Sequence, residues 1–272
     1  LLDSGVDLHS YQPTVDDIVK ISECDLFLYV GGESDGWVED ALKNAPNKDR
    51  KVIRLLDVLG DSAKAEETVE GMQEEEHDHE EEGHGHEEEA EYDEHIWLSL
   101  KNAQVLVAAI SEALQESDPA RKDTYAANAA AYAEKLSALD GEYRAAVDSG
   151  KYKTLLFGDR FPFRYLADDY GLDYYAAFPG CSAETEASFE TVSFLAGKMD
   201  ALGLPCVLTI EGTQHKIAET IVQNTAQKNQ QVLTMDSMQA VTANDASSGV
   251  SYLSIMEKNL SVLKKALGQE AE

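Results

Sequence analysis

The sequence predicts an α/β protein of two lobes, each with a parallel sheet flanked by helices, joined by one long rigid helix. Three observations carry this. Short apolar runs alternate with helical patterns, which implies strands laid parallel by crossover helices. The runs fall in two series, one before residue 100 and one after residue 150. Between the series lies an uninterrupted helical stretch rich in alanine.

The expected strands are Asp25-Leu26-Phe27-Leu28-Tyr29-Val30 and Val52-Ile53-Arg54-Leu55-Leu56 in the first series. Thr154-Leu155-Leu156-Phe157, Val207-Leu208-Thr209-Ile210 and Val232-Leu233-Thr234-Met235 form the second. The long helix opens with Asp118 as N-cap and Pro119 as first helical residue, and it runs to about Ser149. Tyr125, Tyr132, Leu136, Leu139 and Tyr143 make one apolar stripe along it, and Gly150 is a natural stop. A helix of roughly 30 residues is ~45 Å long, which suits a strut between lobes; packing along a single domain is the alternative. The expected division is residues 1–117, a linking helix over 118–149, and residues 150–272.

The chain has 272 residues, 43% of them hydrophobic, enough for two compact lobes with their own cores. No apolar run reaches the ~18–20 residues of a membrane-spanning helix. The chain opens on Leu1-Leu2-Asp3, without the basic and apolar regions of a leader, so an upstream piece is expected to be missing. The net charge of −30 makes nucleic acid an improbable partner and suits cations. Much of that charge is local, since residues 74–94 hold thirteen acids and no Lys or Arg. Glu74 to Glu91 has almost nothing apolar to bury and reads as a disordered loop, within limits of about 73–91. The three cysteines form no CxxC pair, so neither a disulfide framework nor a zinc ribbon is indicated. Cys24 and Cys206 read as buried thiols; Cys181, in a Pro-Gly-Cys-Ser loop, is left open.

Four of the seven histidines, His77, His79, His84 and His86, sit in the acidic loop as two His-x-His pairs. Imidazoles interleaved with carboxylates suit zinc, nickel or copper at modest affinity, against the alternative of a solvated charge run. His9 lies between an apolar stretch and a helix, and His95 lies at a helix start. Either alone is more often a capping or packing residue. Asp159 and Asp236 end strands of the second series and could each be only a helix N-cap. In open parallel sheets, however, ligands bind outside the carboxyl ends of strands. Two imidazoles and one or two carboxylates there would make a four-coordinate metal site.

Gly5-Val6-Asp7-Leu8-His9-Ser10-Tyr11-Gln12-Pro13-Thr14 resembles the first ligand motif of the zinc/manganese solute-binding proteins of ABC transporters, roughly Gly-x-Asp-Pro-His-x-Tyr-Glu-Pro. Glu94-His95-Ile96-Trp97-Leu98-Ser99 with Lys101-Asn102-Ala103 resembles the second motif, and Ser251 to Leu260 the family's terminal helix. The acidic His-rich loop is typical of the zinc-uptake branch. The resemblance runs in register over nearly the whole chain. It implies two α/β lobes with the ion in the cleft between them, zinc first and manganese as the alternative. It further implies a location outside the cytoplasm, periplasmic or lipid-anchored, and a monomer that hands its ion to a membrane permease. By position, His9, His95 and Asp236 match three of the family's four ligands. At the fourth, Arg160 stands where the family has His or Glu, and arginine cannot ligate a cation. Asp159, a water, or Glu184 is then expected to complete the site. The loop would collect ions or sense zinc, and a rigid helix would keep lobe motion small. Rival readings are a metal-dependent hydrolase with Glu211 or Glu184 as base, although no HExxH-like helix is present, and an adhesin-like surface protein.

Overall fold

The computed structural model of the protein describes residues 8–43, 46–47, 49–73, 91–182, 186–212 and 215–269. The expected loop histidines and Glu184 lie outside the described residues. Before the long helix the chain forms α1 (Val15–Glu23), β1 (Leu26–Tyr29), α2 (Val38–Lys43), β2 (Lys51–Arg54), α3 (Leu55–Leu59) and α4 (Leu100–Ser117). The long helix is α5 (Lys122–Ser149). After it come β3 (Thr154–Phe161), α6 (Arg164–Tyr170), β4 (Asp173–Pro179), α7 (Phe189–Leu202), β5 (Cys206–Thr209), α8 (Lys216–Asn224), β6 (Gln231–Thr234), α9 (Ala243–Ser247) and α10 (Tyr252–Ala266). None of the described helices is long and apolar enough to cross a membrane.

Both sheets are parallel. In the first, β1 pairs β2, with Phe27 opposite Val52. In the second the order is β4-β3-β5-β6. Its strands read as continuous apolar runs because helices cover both faces. Leu155, Phe157 and Leu208 point to one side, into a core with Leu136, Tyr143, Met256 and Leu263 of α5 and α10. Leu156 and Val207, one residue out of step, point to the other side, against Leu195, Met199 and Ile221 of α7 and α8. This is the period of two expected of a strand. Each such side chain, fully buried, contributes about 1.5–3 kcal/mol.

Three expectations are corrected. The run Val52 to Leu56 does not stay a strand: β2 ends at Arg54, and Leu55 opens α3 while the Leu56 amide donates to the Val30 carbonyl. The strand at Thr154 continues to Phe161, so Asp159 and Arg160 lie within it, beside a register shift against β4 between Phe157 and Arg160. The strand Asp173–Pro179 was not anticipated, because its tyrosines and paired alanines give no alternation.

Helix α5 has 28 residues, ~42 Å at 1.5 Å each. A 3-10 turn over Pro119–Arg121 precedes it, with Asp118 at its head. Of the predicted stripe, Leu136, Leu139 and Tyr143 are buried, and the Tyr143 hydroxyl donates to the Met256 carbonyl at 2.7 Å. Gly150 ends the helix in extended backbone (φ −65°, ψ 141°), not in the left-handed turn expected of a glycine stop. Its small size serves packing instead, since a Cβ there would lie 2.9 Å from that of Leu267.

The segment Asp93–Ser99 ties the two halves together. The Tyr165 hydroxyl of α6 donates to the Asp93 carbonyl and accepts the Lys64 amide. The Trp97 indole donates to the Ser237 carbonyl, and the Tyr252 hydroxyl donates to the Trp97 carbonyl. Leu98 and Leu100 are buried in the same core as Phe163 and Leu166. The halves are therefore joined by packed contacts as well as by α5.

Candidate metal centre

His9 lies in a 3-10 turn, Leu8–Ser10, just before α1. The start of α1 fixes that turn. Thr14 caps the Asp17 amide, and the Asp17 carboxylate accepts from the Thr14 amide and hydroxyl and from the Tyr11 hydroxyl. These hydrogen bonds hold the Asp17 carboxyl well below the usual carboxylate range. The His9 Nδ1 edge is occupied, with Ser34 Oγ at 2.8 Å and Glu94 Oε2 at 3.6 Å. Glu94 in turn accepts the Ser34 amide at 2.9 Å.

His95 is fully buried. Asp93 Oδ1 accepts both its backbone amide (2.8 Å) and its Nδ1–H (2.9 Å). A carboxylate behind an imidazole fixes the tautomer and ring orientation, leaving the Nε2 lone pair free to bind. Both histidines thus turn Nε2 to the same place, and the two nitrogens are 3.1 Å apart. Two nitrogens on one tetrahedral zinc, each at roughly 2.0–2.1 Å, stand about 3.3 Å apart. The pair is already spaced for a shared ion. Gln239 reaches the same point: its Nε2 is 3.3 Å from His9 Nε2 and closer still to His95 Nε2. Cys181 completes the group, and its Sγ and the two imidazole nitrogens all lie within 4.8 Å of one another.

The cluster opens on a cavity of about 980 Å³ lined by His9, Glu66, Glu94, Asp159, Cys181 and Glu211, among others. Asp159 faces this space but is otherwise engaged. It accepts the amides of Arg160 (2.9 Å) and Ile210 (3.3 Å), and burial pushes its carboxyl up from the ordinary value. Arg160 does not point at the shared site as a ligand. It donates to the Ser182 carbonyl at 3.2 Å and approaches Gln239 Oε1 at 3.5 Å.

Asp236, the other carboxylate expected at the site, lies just past the end of β6. It is absent from the cavity lining and from the clustered ligand atoms among the described residues. Its Oδ1 accepts the Met238 amide at 2.8 Å, and Asn259 clasps its backbone from both sides. The physical reason is the turn after β6. Met238 takes φ 63°, and Glu211 binds the amides of Ser237 and Gln239 and the Ser237 hydroxyl. The turn therefore sends Gln239 inward, three residues past the aspartate. Glu211, the base considered for a hydrolase, has both oxygens spent on this turn. Gln239 escaped sequence reading; the only local sign was a polar Asp-Ser-Met-Gln run between the strand and the Thr242–Asp245 capping box.

Burial, and secondarily the nearby charges of Glu66 and Asp93, push the Cys181 thiol well above its ordinary range. The Glu66 carboxyl is itself raised, chiefly by burial. Acidic groups that burial holds back from ionising are groups whose charged form an entering cation would stabilise.

Comparison with known proteins gives the same direction. A family model described as zinc-uptake complex component A, periplasmic, matches residues 1–266. The zinc-binding lipoprotein AdcA of Streptococcus pneumoniae is 33% identical over 270 residues, covering 99% of this chain and 51% of the relative. The chain thus spans about half the length of the AdcA relatives it matches. The high-affinity zinc uptake system protein ZnuA of Bacillus subtilis is 30% identical, covering 98% of this chain and 79% of the relative. The crystal structure of the Zn(II)-bound ZnuA-like domain of S. pneumoniae AdcA superposes with TM-score 0.73 at 28% identity, covering 99% of this chain and 90% of that one. The chain belongs to the family of periplasmic zinc-uptake component A proteins.

Proposed function

We propose that the protein is an extracytoplasmic solute-binding protein, not an enzyme, that captures one divalent transition metal ion, zinc first and manganese as the alternative. It would then deliver the ion to the membrane permease of an ABC transporter. One observation carries the reading: two imidazole Nε2 atoms 3.1 Å apart, with both Nδ1 edges already tied off. The names of the relatives as zinc-binding lipoprotein and zinc-uptake protein support zinc as cargo.

In this reading His9 and His95 are the primary ligands, and Asp159 in the cavity wall supplies charge to the entering ion. Asp236, just past the end of β6, is the further carboxylate proposed to approach the ion. The four loop histidines, His77, His79, His84 and His86, would be accessory capture sites. The lobes are taken as residues 1–117 and 150–272, with 118–149 between them, and the protein works as a monomer at the outer face of the membrane or in the periplasm.

The test is competition titration of zinc against a chromophoric chelator, on the full chain and on His95→Ala. One tight equivalent that disappears in the variant is expected. A tight equivalent that persists in His95→Ala overturns the cleft assignment.

A further inference from the structure

From the same cluster we infer that Cys181 is a ligand, so that the cleft is a two-imidazole, one-thiolate site selecting thiophilic ions (zinc or cadmium) over manganese. This rests on the cleft reading above and names the donor that sets its selectivity.

Cys181 Sγ belongs to the one ligand-capable cluster among the described residues, with His9 and His95. Neither Asp159 nor Asp236 does. Gln239 and Arg160 also reach this point, and Glu66, Glu94 and Asp159 line the cavity around it, but none of these carboxylates belongs to the cluster of described ligand atoms. Within the cluster, two neutral imidazoles and an amide offer a divalent ion no anionic ligand atom. The thiolate supplies one.

The loop that carries the sulfur is held in place. The Cys181 amide donates to Glu66 Oε1 at 3.0 Å. Gly180 lies so close to the His95 ring that an added Cβ would come within 3.1 Å of Cε1 and Nδ1, and within 2.9 Å of the Phe161 carbonyl. Glycine at this position lets the backbone press against His95 and bring its neighbour to the shared point. Cys181 also lines the cavity, so an ion arriving from solvent meets it.

On binding, the sulfur–hydrogen bond breaks, a sulfur–metal bond forms, and the proton leaves to solvent. The metal and the sulfur keep their oxidation states. A sulfur ligand sits about 2.3 Å from zinc, and Sγ and the two imidazoles already lie within 4.8 Å of one another, in reach of one shared ion. Gln239 or a water fills the fourth position. Thiolate is soft and favours zinc and its heavier congener, whereas manganese prefers oxygen.

The experiment uses the full chain, with Cd²⁺ as the optical probe and Zn²⁺ and Mn²⁺ in competition, for wild type, Cys181→Ser and His95→Ala. The wild type should show an ultraviolet thiolate-to-cadmium charge-transfer band that Cys181→Ser lacks. Zinc affinity in Cys181→Ser should fall by at least the roughly 10–100-fold that losing an outer-shell partner costs, and the preference for zinc over manganese should shrink. Alkylation of wild type, mapped by peptide mass, gives a readout independent of the variant's folding: zinc should protect Cys181. No charge-transfer band and no protection, with zinc binding still lost in His95→Ala, overturns the thiolate and leaves the cleft reading standing. Unchanged zinc binding in both variants overturns both.

Discussion

Two imidazoles whose lone pairs meet 3.1 Å apart repel unless something positive, or a pair of N–H donors, lies between them. The Gln239 amide does this, donating toward both nitrogens. A metal must displace that amide or turn it so that its oxygen faces the ion. Replacing Gln239 with Glu should therefore raise zinc affinity, by adding an anionic oxygen where the amide now stands; isothermal titration measures it, and a loss of affinity would contradict the placement. Asp93→Asn should weaken zinc binding by roughly 10–100-fold, because the Nδ1–H of His95 loses its carboxylate partner. Asp236→Asn separates the two roles open to that carboxylate: zinc affinity falls if Asp236 is a ligand and is unchanged if it only caps the turn, and titration reads which. The two histidines were legible because each stands inside a contiguous motif. Gln239 was not, because its direction depends on Glu211 and on the left-handed Met238, contacts remote in sequence or invisible in residue type. Cys181 was noticed but could not be placed, since β4 and its following turn bring it to His95 across more than eighty positions.

Among the elements, the strands of uniform apolar character were legible to within a residue or so: β1, β5 and β6 follow their runs. Boundaries failed where the next element is equally apolar, as at Leu55-Leu56, or where a bulged strand carries polar residues, as at Asp159-Arg160. Helix starts are set by capping boxes at Thr14–Asp17 and Thr242–Asp245. Thr14→Ala and Thr242→Ala should each cost about 1 kcal/mol, read from urea melts at neutral pH. The Asp17 and Asp245 carboxyls are held below their ordinary value by these hydrogen bonds, and that of Asp118 by Arg121. Depressed folded-state values mean that their stabilisation is present above the unfolded value of roughly 3.9 and is lost as pH falls below it. Acid unfolding should accordingly begin earlier in the two Thr variants. Leu136→Ala, at a fully buried position of α5 facing the larger sheet, should cost about 2–5 kcal/mol.

Across the molecule, the two parallel sheets are bridged by more than a strut. Tyr165, Trp97 and Tyr252 pin the segment after the acidic loop between the halves, and this segment carries His95. A site built on such a seam responds to an ion by local repacking rather than by wide hinge closure. Small-angle scattering of metal-free and zinc-loaded protein should give superimposable curves; marked compaction would contradict the packed seam. The two-sheet layout was legible from the alternation of runs and the Ala-rich helix. The seam was not, because it joins residues about 140 positions apart, such as Trp97 and Ser237. Since ligands must be deprotonated to bind, zinc affinity should fall as pH drops through the histidine range.

The most direct test of the central claim is anomalous diffraction at the zinc edge from crystals of the loaded full chain. The account predicts one peak between His9 and His95, within roughly 2.0–2.1 Å of both Nε2 atoms. A peak elsewhere, with the two imidazoles still in contact with Gln239, would contradict it.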